Sequence, residues 1–279
     1  MTSPPAPARI SSYRVEGLLG DGASAHVYRC LSSAGQAVAV KLARSVEHGP
    51  VLHREADYLS RIDSPRVPAL VERGQTADGR TFLVSSLVDA VPLTAWHDFS
   101  RPLPPVIVGK LVLQLCEALG AIHAAGYAHL DLKPPNLLLA RDGQLYLVDL
   151  GSAAPLLEPL PRPRGTREFM APELYRGQPP GPATDVYGAG VLLYQLLTGR
   201  SPFFPNTVRG QFDPVAVGED EWRRLHCSQA PTPLSRHVDG AGELGALGEL
   251  VHQCLAKVPA ERPETPALLG ARLRVLLLS

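Results

Sequence analysis

Apolar residues alternate with polar ones in short segments up to about residue 87, and beyond residue 89 they recur every three to four positions. A chain patterned in this way builds a sheet-rich part first and a helix-rich part second. Its 279 residues suffice for one large domain or two small lobes, and the change of period argues for two lobes, each with its own core. Residues 13–19, 25–31 and 36–43 read as strands of an antiparallel meander, with turns at Gly20-Asp21-Gly22 and over residues 32–35. Gly49-Pro50 precedes a helix expected over 51–62, with Leu52, Leu59 and Ile62 on one side. Strands at 67–72 and 81–87, joined at Asp78-Gly79, complete a lobe of five strands and one main helix. Residues 1–12 contain three prolines and no periodicity, and are expected to be a disordered lead-in.

In the second part, Pro105 starts a helix whose Val108, Leu111, Val112, Leu115, Leu119 and Ile122 form a stripe that ends at Gly126. Short strands at 137–139 and 145–148 flank the Asp142-Gly143 turn, and an irregular Pro-rich loop covers 152–165. Helices are expected at 184–198, closed by Gly199, and at 219–225, 243–255 and 265–277. The expected fold class is α+β, with a five-stranded antiparallel lobe (13–85) and a mainly helical lobe (90–279) joined through residues 86–89.

Chemistry concentrates between the long helix and the Pro-rich loop. There the chain reads His129-Leu130-Asp131-Leu132-Lys133-Pro134-Pro135-Asn136 and, after one strand pair, Asp149-Leu150-Gly151. Asp131 is a candidate acceptor for a hydroxyl proton, and Lys133 offers a point positive charge to a phosphoryl group. Asn136 and Asp149 supply hard oxygen ligands of the kind magnesium prefers. The same string also suits a polar turn after a helix, so the rest of the chain must arbitrate.

Composition narrows the alternatives. Basic and acidic side chains balance at 27 each, which leaves no broad field for nucleic acid or a membrane surface, and binding must be local. Cys30, Cys116, Cys227 and Cys254 are widely spaced, so neither a zinc site nor a disulfide framework is indicated. Residues 1–12 lack the pattern of a signal peptide and no uninterrupted run of about 18 apolar residues occurs, so the expected address is cytoplasmic. No feature of the sequence specifies an oligomeric state. Only four of the 27 basic residues are lysine, at 41, 110, 133 and 257, so a lysine here is informative.

Taken in order, these motifs resemble those of the eukaryotic-like serine/threonine protein kinase family over residues 13–277. The turn from Gly20 through Gly22 to Val27 is similar to the Gly-x-Gly-x-x-Gly-x-Val loop that covers ATP phosphates, with Ala25 in place of the third glycine. Val38-Ala39-Val40-Lys41 matches the strand-lysine motif, which implies that Lys41 reaches the α- and β-phosphates and pairs with Glu55. Further nucleotide contacts are implied for Ala39, Ser86, Val88 and Leu138, and Ser85 falls at the position that gates the pocket behind the adenine. In the catalytic loop the resemblance assigns Asp131 to orient the acceptor hydroxyl and Lys133 to stabilise the transferring phosphoryl; Asn136 and Asp149 would hold Mg2+. Thr166 resembles the substrate-platform threonine ahead of Ala171-Pro172-Glu173, Glu173 would pair with Arg262, and Asp185 would prop the catalytic loop.

The implied activity is transfer of the γ-phosphoryl of Mg-ATP to Ser or Thr hydroxyls of a protein substrate. A small-molecule kinase of related fold and a non-catalytic pseudokinase are the alternatives. Two departures agree with each other: Leu130 replaces the arginine that clasps a phosphorylated residue in many members, and residues 153–164 contain no Ser, Thr or Tyr. Activity without activation-loop phosphorylation is therefore expected. Leu150 replaces the family's phenylalanine after the metal aspartate. Trp96, Trp222, Cys116 and Cys254 read as packing residues, and His97, His123, His226 and His237 lack metal spacing.

Overall fold

The computed structural model describes residues 7–208, 213, 216–237 and 245–277, with the side chains of 205–208 excepted. Contacts divide the chain into two compact units, with the boundary between Asp89 and Ala90.

The first unit is one antiparallel sheet with a helix. Its strands are β1 (Arg9–Ile10), β2 (Tyr13–Asp21), β3 (Ala25–Leu31), β4 (Ala37–Ala43), β5 (Leu70–Gln75) and β6 (Thr81–Ser86), in the order β1-β2-β3-β4-β6-β5. The sheet has six strands rather than five, because residues expected to be disordered fold back: Arg9 pairs with Arg14 and Ile10 with Tyr13. One side chain explains the difference. Ile10 is fully buried among Tyr13, Tyr28, Cys30, Val38, Val40, Leu42, Phe82 and Val84, the core of this unit. Residues 1–6 of the expected lead-in lie outside the described residues. β5 starts at Leu70, three residues later than expected, since Pro68 has no N–H to give to a ladder. The helix α1 (Gly49–Leu59) begins with proline in its first turn and buries Leu52, Glu55, Ala56 and Leu59; it stops short of Ile62.

The second unit is mainly helical. After β7 (Ala90–Pro92) come α2 (Leu93–Trp96), α3 (Pro105–Ala124), β8 (Tyr127–Ala128), β9 (Leu137–Ala140), β10 (Leu145–Leu147) and β11 (Ala154–Pro155). Then follow α4 (Pro172–Tyr175), α5 (Pro182–Thr198), β12 (Arg200–Ser201), β13 (Phe204–Val208), α6 (Glu219–Ser228), α7 (Gly245–Cys254) and α8 (Pro266–Leu277). Residues 243 and 244, the expected start of α7, lie outside the described residues. Every residue of α5 from Ala183 to Thr198 is buried, so α5 is the central helix, and α3 packs against it and against α8. Gly199 closes α5 in the left-handed region at φ 67°, and a Cβ there would meet the Ser100 carbonyl at 2.6 Å.

By average composition and length α3 would also suit a membrane span, and among the described helices it alone does. Lys110, Gln114 and Glu117 interrupt it, and its stripe of Val108, Leu111, Val112, Leu115, Leu119 and Ile122 is buried in the unit. Trp222, Cys116 and Cys254 are core residues as expected, but Trp96 is 45% exposed. The single turn of α2 places only Leu93 inside.

Candidate active site

The second unit brings Lys133, Asn136 and Thr166 onto the carboxylate of Asp131. Asp131 Oδ1 accepts from Thr166 Oγ1 at 2.6 Å; Oδ2 accepts from Lys133 Nζ at 2.7 Å and from Asn136 Nδ2 at 3.2 Å. Asn136 Nδ2 also donates to the Asp131 carbonyl at 2.9 Å, which ties both ends of the loop together. Asp131 is 5% exposed, and three polar groups from positions up to 35 residues away fix its rotamer.

The backbone beneath is fixed by Asp185, on the first turn of α5. Its Oδ2 accepts from the His129 N–H at 2.8 Å and its Oδ1 from the Leu130 N–H at 2.9 Å, and His123 Nε2 lies 2.7 Å from Oδ2. Burial opposes ionisation of Asp185, but the His123 hydrogen bond, the neighbouring histidines and the Leu130 N–H outweigh it. Its carboxyl is held below the usual aspartate value. This clamp matters because Leu130 sits at φ 66°, a region that costs a branched side chain energy. His129 closes the base of the loop: Nδ1 accepts from the Asp131 N–H at 3.2 Å, so Nε2 is the protonated nitrogen and donates to the Val148 carbonyl at 3.2 Å.

Asp149 leaves the β10 strand at φ 69°, with Oδ1 accepting from the Gly151 N–H at 3.2 Å. Leu150 is buried, so leucine fills the apolar slot. Leu138 lies on β9, opposite Tyr146 on one side and Pro92 on the other. Farther out, Glu173 and Arg262 form a bidentate pair at 2.8 Å on both arms, and Arg262 also donates to the carbonyls of Ala183 and Ala256.

In the first unit, Lys41 on β4 meets Glu55 on α1. Nζ lies 2.9 Å from Oε1 and 2.7 Å from Oε2, with the side chains 14% and 4% exposed. Ala39 pairs with Arg29 and Ser85, and Gly20 pairs with Val27 at the tip of the β2–β3 ladder. Gly22 donates its N–H to the Ala25 carbonyl at 3.0 Å, closing the tight turn. Ser86 is engaged locally: its N–H donates to the Ala69 carbonyl at 2.9 Å and its hydroxyl accepts from the Ala69 N–H at 3.0 Å. Val88 is half-buried in the segment after β6.

Two positions escaped the sequence reading. Gly165, at φ 104°, lies so close to the catalytic loop that a Cβ would come within 2.1 Å of the Leu130 carbonyl. Its only signal was a glycine at the end of a Pro- and Arg-rich stretch. Arg44, which binds the Gly22 carbonyl and the Asp21 carboxylate, left no signal as an exposed arginine in a chain that uses arginine as its general cation. Among the described residues, no three His, Cys, Asp or Glu side chains gather to hold a metal.

The family model for the protein kinase domain matches residues 13–272, and the chain belongs to this family. It is 34% identical to the serine/threonine-protein kinase PkaB of Streptomyces coelicolor, over 96% of this chain and 63% of that protein. It is 31% identical to the serine/threonine-protein kinase pkn3 of Myxococcus xanthus, over 95% of this chain and 50% of that protein. A probable serine/threonine-protein kinase of Corynebacterium efficiens is 30% identical, over 95% of this chain and 41% of that protein. The chain thus spans between 41% and 63% of the length of these relatives. The solved kinase PK-1 of Cydia pomonella granulovirus superposes with a TM-score of 0.74 at 22% identity, covering 93% of this chain and 92% of that one, and so shares the fold.

Proposed function

We propose that this chain is an ATP-dependent serine/threonine protein kinase whose acceptor is a Ser or Thr hydroxyl of a protein. The observation that carries the reading is the Asp131 carboxylate, held by Thr166, Lys133 and Asn136 at 2.6 to 3.2 Å. A carboxylate gripped in this way keeps lone pairs in a fixed direction for an incoming hydroxyl. Lys133, 28% exposed at its side chain, retains donors for the transferring phosphoryl group. Lys41, Gly20, Gly22, Val27, Ala39, Ser86, Val88 and Leu138 are assigned to the nucleotide, and Glu55 to the orientation of Lys41.

The donor set suits magnesium. Asn136 commits its N–H donors to Asp131, which leaves its amide oxygen for a cation, and Asp149 adds a carboxylate. Two protein oxygens are few, but Mg2+ ordinarily completes its shell with water and substrate phosphates. Bound there, it would neutralise phosphate charge.

The catalytic arrangement is assigned to the unphosphorylated chain. Leu130 offers no cation to a phosphate, and the loop after Asp149 is already tied down: Ala154 pairs with Ala128, Leu156 donates to the Gly126 carbonyl at 2.9 Å and Leu157 to the Pro180 carbonyl at 2.8 Å. Four prolines within 153–164 further lower the entropy cost of ordering it. A cytoplasmic address and the absence of nucleic-acid or membrane partners belong to the same proposal.

The test is incubation with radiolabelled ATP, magnesium and a mixed protein substrate, beside an Asp131→Asn variant. Label on protein from the parent chain alone supports the reading. Label on small molecules only would favour a small-molecule kinase, and equal, negligible label from both proteins would favour a binding module.

A further inference from the structure

The glycine-rich turn is not a free hairpin. Arg44, one residue beyond the strand that carries Lys41, grips it at three points. Its own N–H donates to the Ser24 carbonyl at 3.0 Å, its Nε donates to the Gly22 carbonyl at 2.7 Å, and its Nη2 binds Asp21 Oδ1. Asp21 Oδ1 also lies 3.0 Å from Nδ1 of the buried His26, so the carboxylate is shared between the guanidinium and the base of β3. With Gly22 N–H on the Ala25 carbonyl, the carbonyls of Gly22, Ser24 and Ala25 all have donors.

The consequence follows from peptide geometry. In a planar trans peptide the C=O of one residue and the N–H of the next point in opposite directions. A guanidinium that holds the Gly22 carbonyl therefore aims the Ala23 N–H away from Arg44. Among the described residues the N–H groups of Ala23 and Ser24 have no acceptor. The Ala23 N–H, its direction set through the Gly22 carbonyl, and the adjacent unbonded Ser24 N–H together offer donors of the kind that make a small anion-binding nest.

We propose that Arg44 is a positioning residue for nucleotide binding: by pinning the Gly22 carbonyl and the Asp21 carboxylate it fixes the turn so that the Ala23 and Ser24 N–H groups are ready for phosphate oxygens. The inference rests on the nucleotide-binding reading above. Arginine is required because the contact is a planar fork with two donors in different directions. Lysine, a single point, can keep one of them. Arg44 and Asp21 are 35% and 40% exposed, so the grip is also screened by salt.

The experiment compares the parent chain with Arg44→Ala, Arg44→Lys and a control, Arg29→Ala. Arg29 pairs with Glu16 at 3.1 Å on the same sheet, and among the described residues its side chain makes no hydrogen bond or ion pair with residues 20–24. Two quantities are read: amide hydrogen exchange of the segment 20–26 without nucleotide, and the affinity for Mg-ATP by calorimetry. Arg44→Ala should speed exchange of the Gly22 amide about tenfold and weaken ATP by roughly three- to tenfold. Arg44→Lys should fall between it and the parent, and Arg29→Ala should match the parent. In transfer assays KM for ATP should rise while kcat stays close to the parent value. Unchanged exchange in Arg44→Ala would overturn the grip, and faster exchange with unchanged ATP affinity would overturn its role in binding. If the folded parent chain failed to bind ATP, the nucleotide reading would fall, while the exchange measurement would still decide whether Arg44 fixes the turn.

Discussion

Each unit of this protein contains a buried pair between a basic side chain and a glutamate, Lys41–Glu55 in the first and Arg262–Glu173 in the second, and the two are built differently. Arg262 and Glu173 in the second unit are 0% and 2% exposed at their side chains, and two further Arg262 N–H groups end on the carbonyls of Ala183 and Ala256. Lys41 and Glu55 in the first unit are 14% and 4% exposed, and a lysine ammonium on a four-carbon stem makes the contact. The Arg262 arrangement is a rivet, a rigid fork with four of its five N–H groups on fixed acceptors. The Lys41 arrangement rests on a flexible ammonium at the edge of burial, the arrangement that the proposed contact with nucleotide phosphate would use. Similar distances can therefore serve different purposes, and it is burial and residue type that separate them.

The largest effect should come from breaking the rivet. Glu173→Ala leaves the Arg262 guanidinium buried without its carboxylate and should cost about 3–5 kcal/mol in stability, read by urea denaturation. Lys41→Met should cost clearly less, yet abolish nearly all phosphoryl transfer while the protein stays folded. If both substitutions destabilise equally, the contrast between the pairs is wrong. If Lys41→Met retains ATP turnover, Lys41 leaves the catalytic assignment.

A second contrast lies between the two turns to which the proposed chemistry is assigned. The glycine-rich turn is gripped at the surface by Arg44, whereas the catalytic loop is gripped from inside by Asp185. Asp185→Asn removes one of two acceptors, so the N–H of either His129 or Leu130 is left unpaired, at a cost of about 1–3 kcal/mol. Because Leu130 sits at φ 66°, the loop should then relax, and the transfer rate should fall by up to about a hundredfold while ATP affinity is kept. Loss of ATP affinity in parallel with rate would mean that Asp185 supports more than the loop.

Much of this was legible in the residues. The Lys41–Glu55 and Glu173–Arg262 pairs are both formed as the family resemblance implied, and the apolar run around Lys41 already called for an acidic partner there. The central helix was legible from its apolar content and from Gly199. Gly165 and the grip of Arg44 on the Gly22 carbonyl were not, since they act on carbonyls, and a carbonyl is the same at every position. β1 was missed because a single buried isoleucine defines it amid proline and serine. Trp96 was misplaced because a one-turn helix carries no periodicity to say which side faces inward.

A smaller effect should appear on acidification. Burial, with the Lys257 charge added, depresses His226 to about 3, within an aromatic cluster of Trp222, Tyr175, Tyr187 and Phe203. Between its ordinary value near 6.5 and about 3, the unfolded chain binds a proton there that the folded chain refuses. Stability should therefore fall as pH drops below about 6.5, by up to about 1.4 kcal/mol per pH unit. His226→Phe should flatten that slope in denaturation curves at pH 7, 6 and 5. Equal slopes would mean that His226 is not held neutral.

The central claim is that the catalytic loop is set by internal hydrogen bonds and needs no phosphate to order it. Its most direct test is the initial rate of phosphatase-treated protein, verified as unmodified by mass spectrometry. The account predicts full initial velocity without a lag. A large loss of rate, restored by autophosphorylation within residues 152–166, would contradict it.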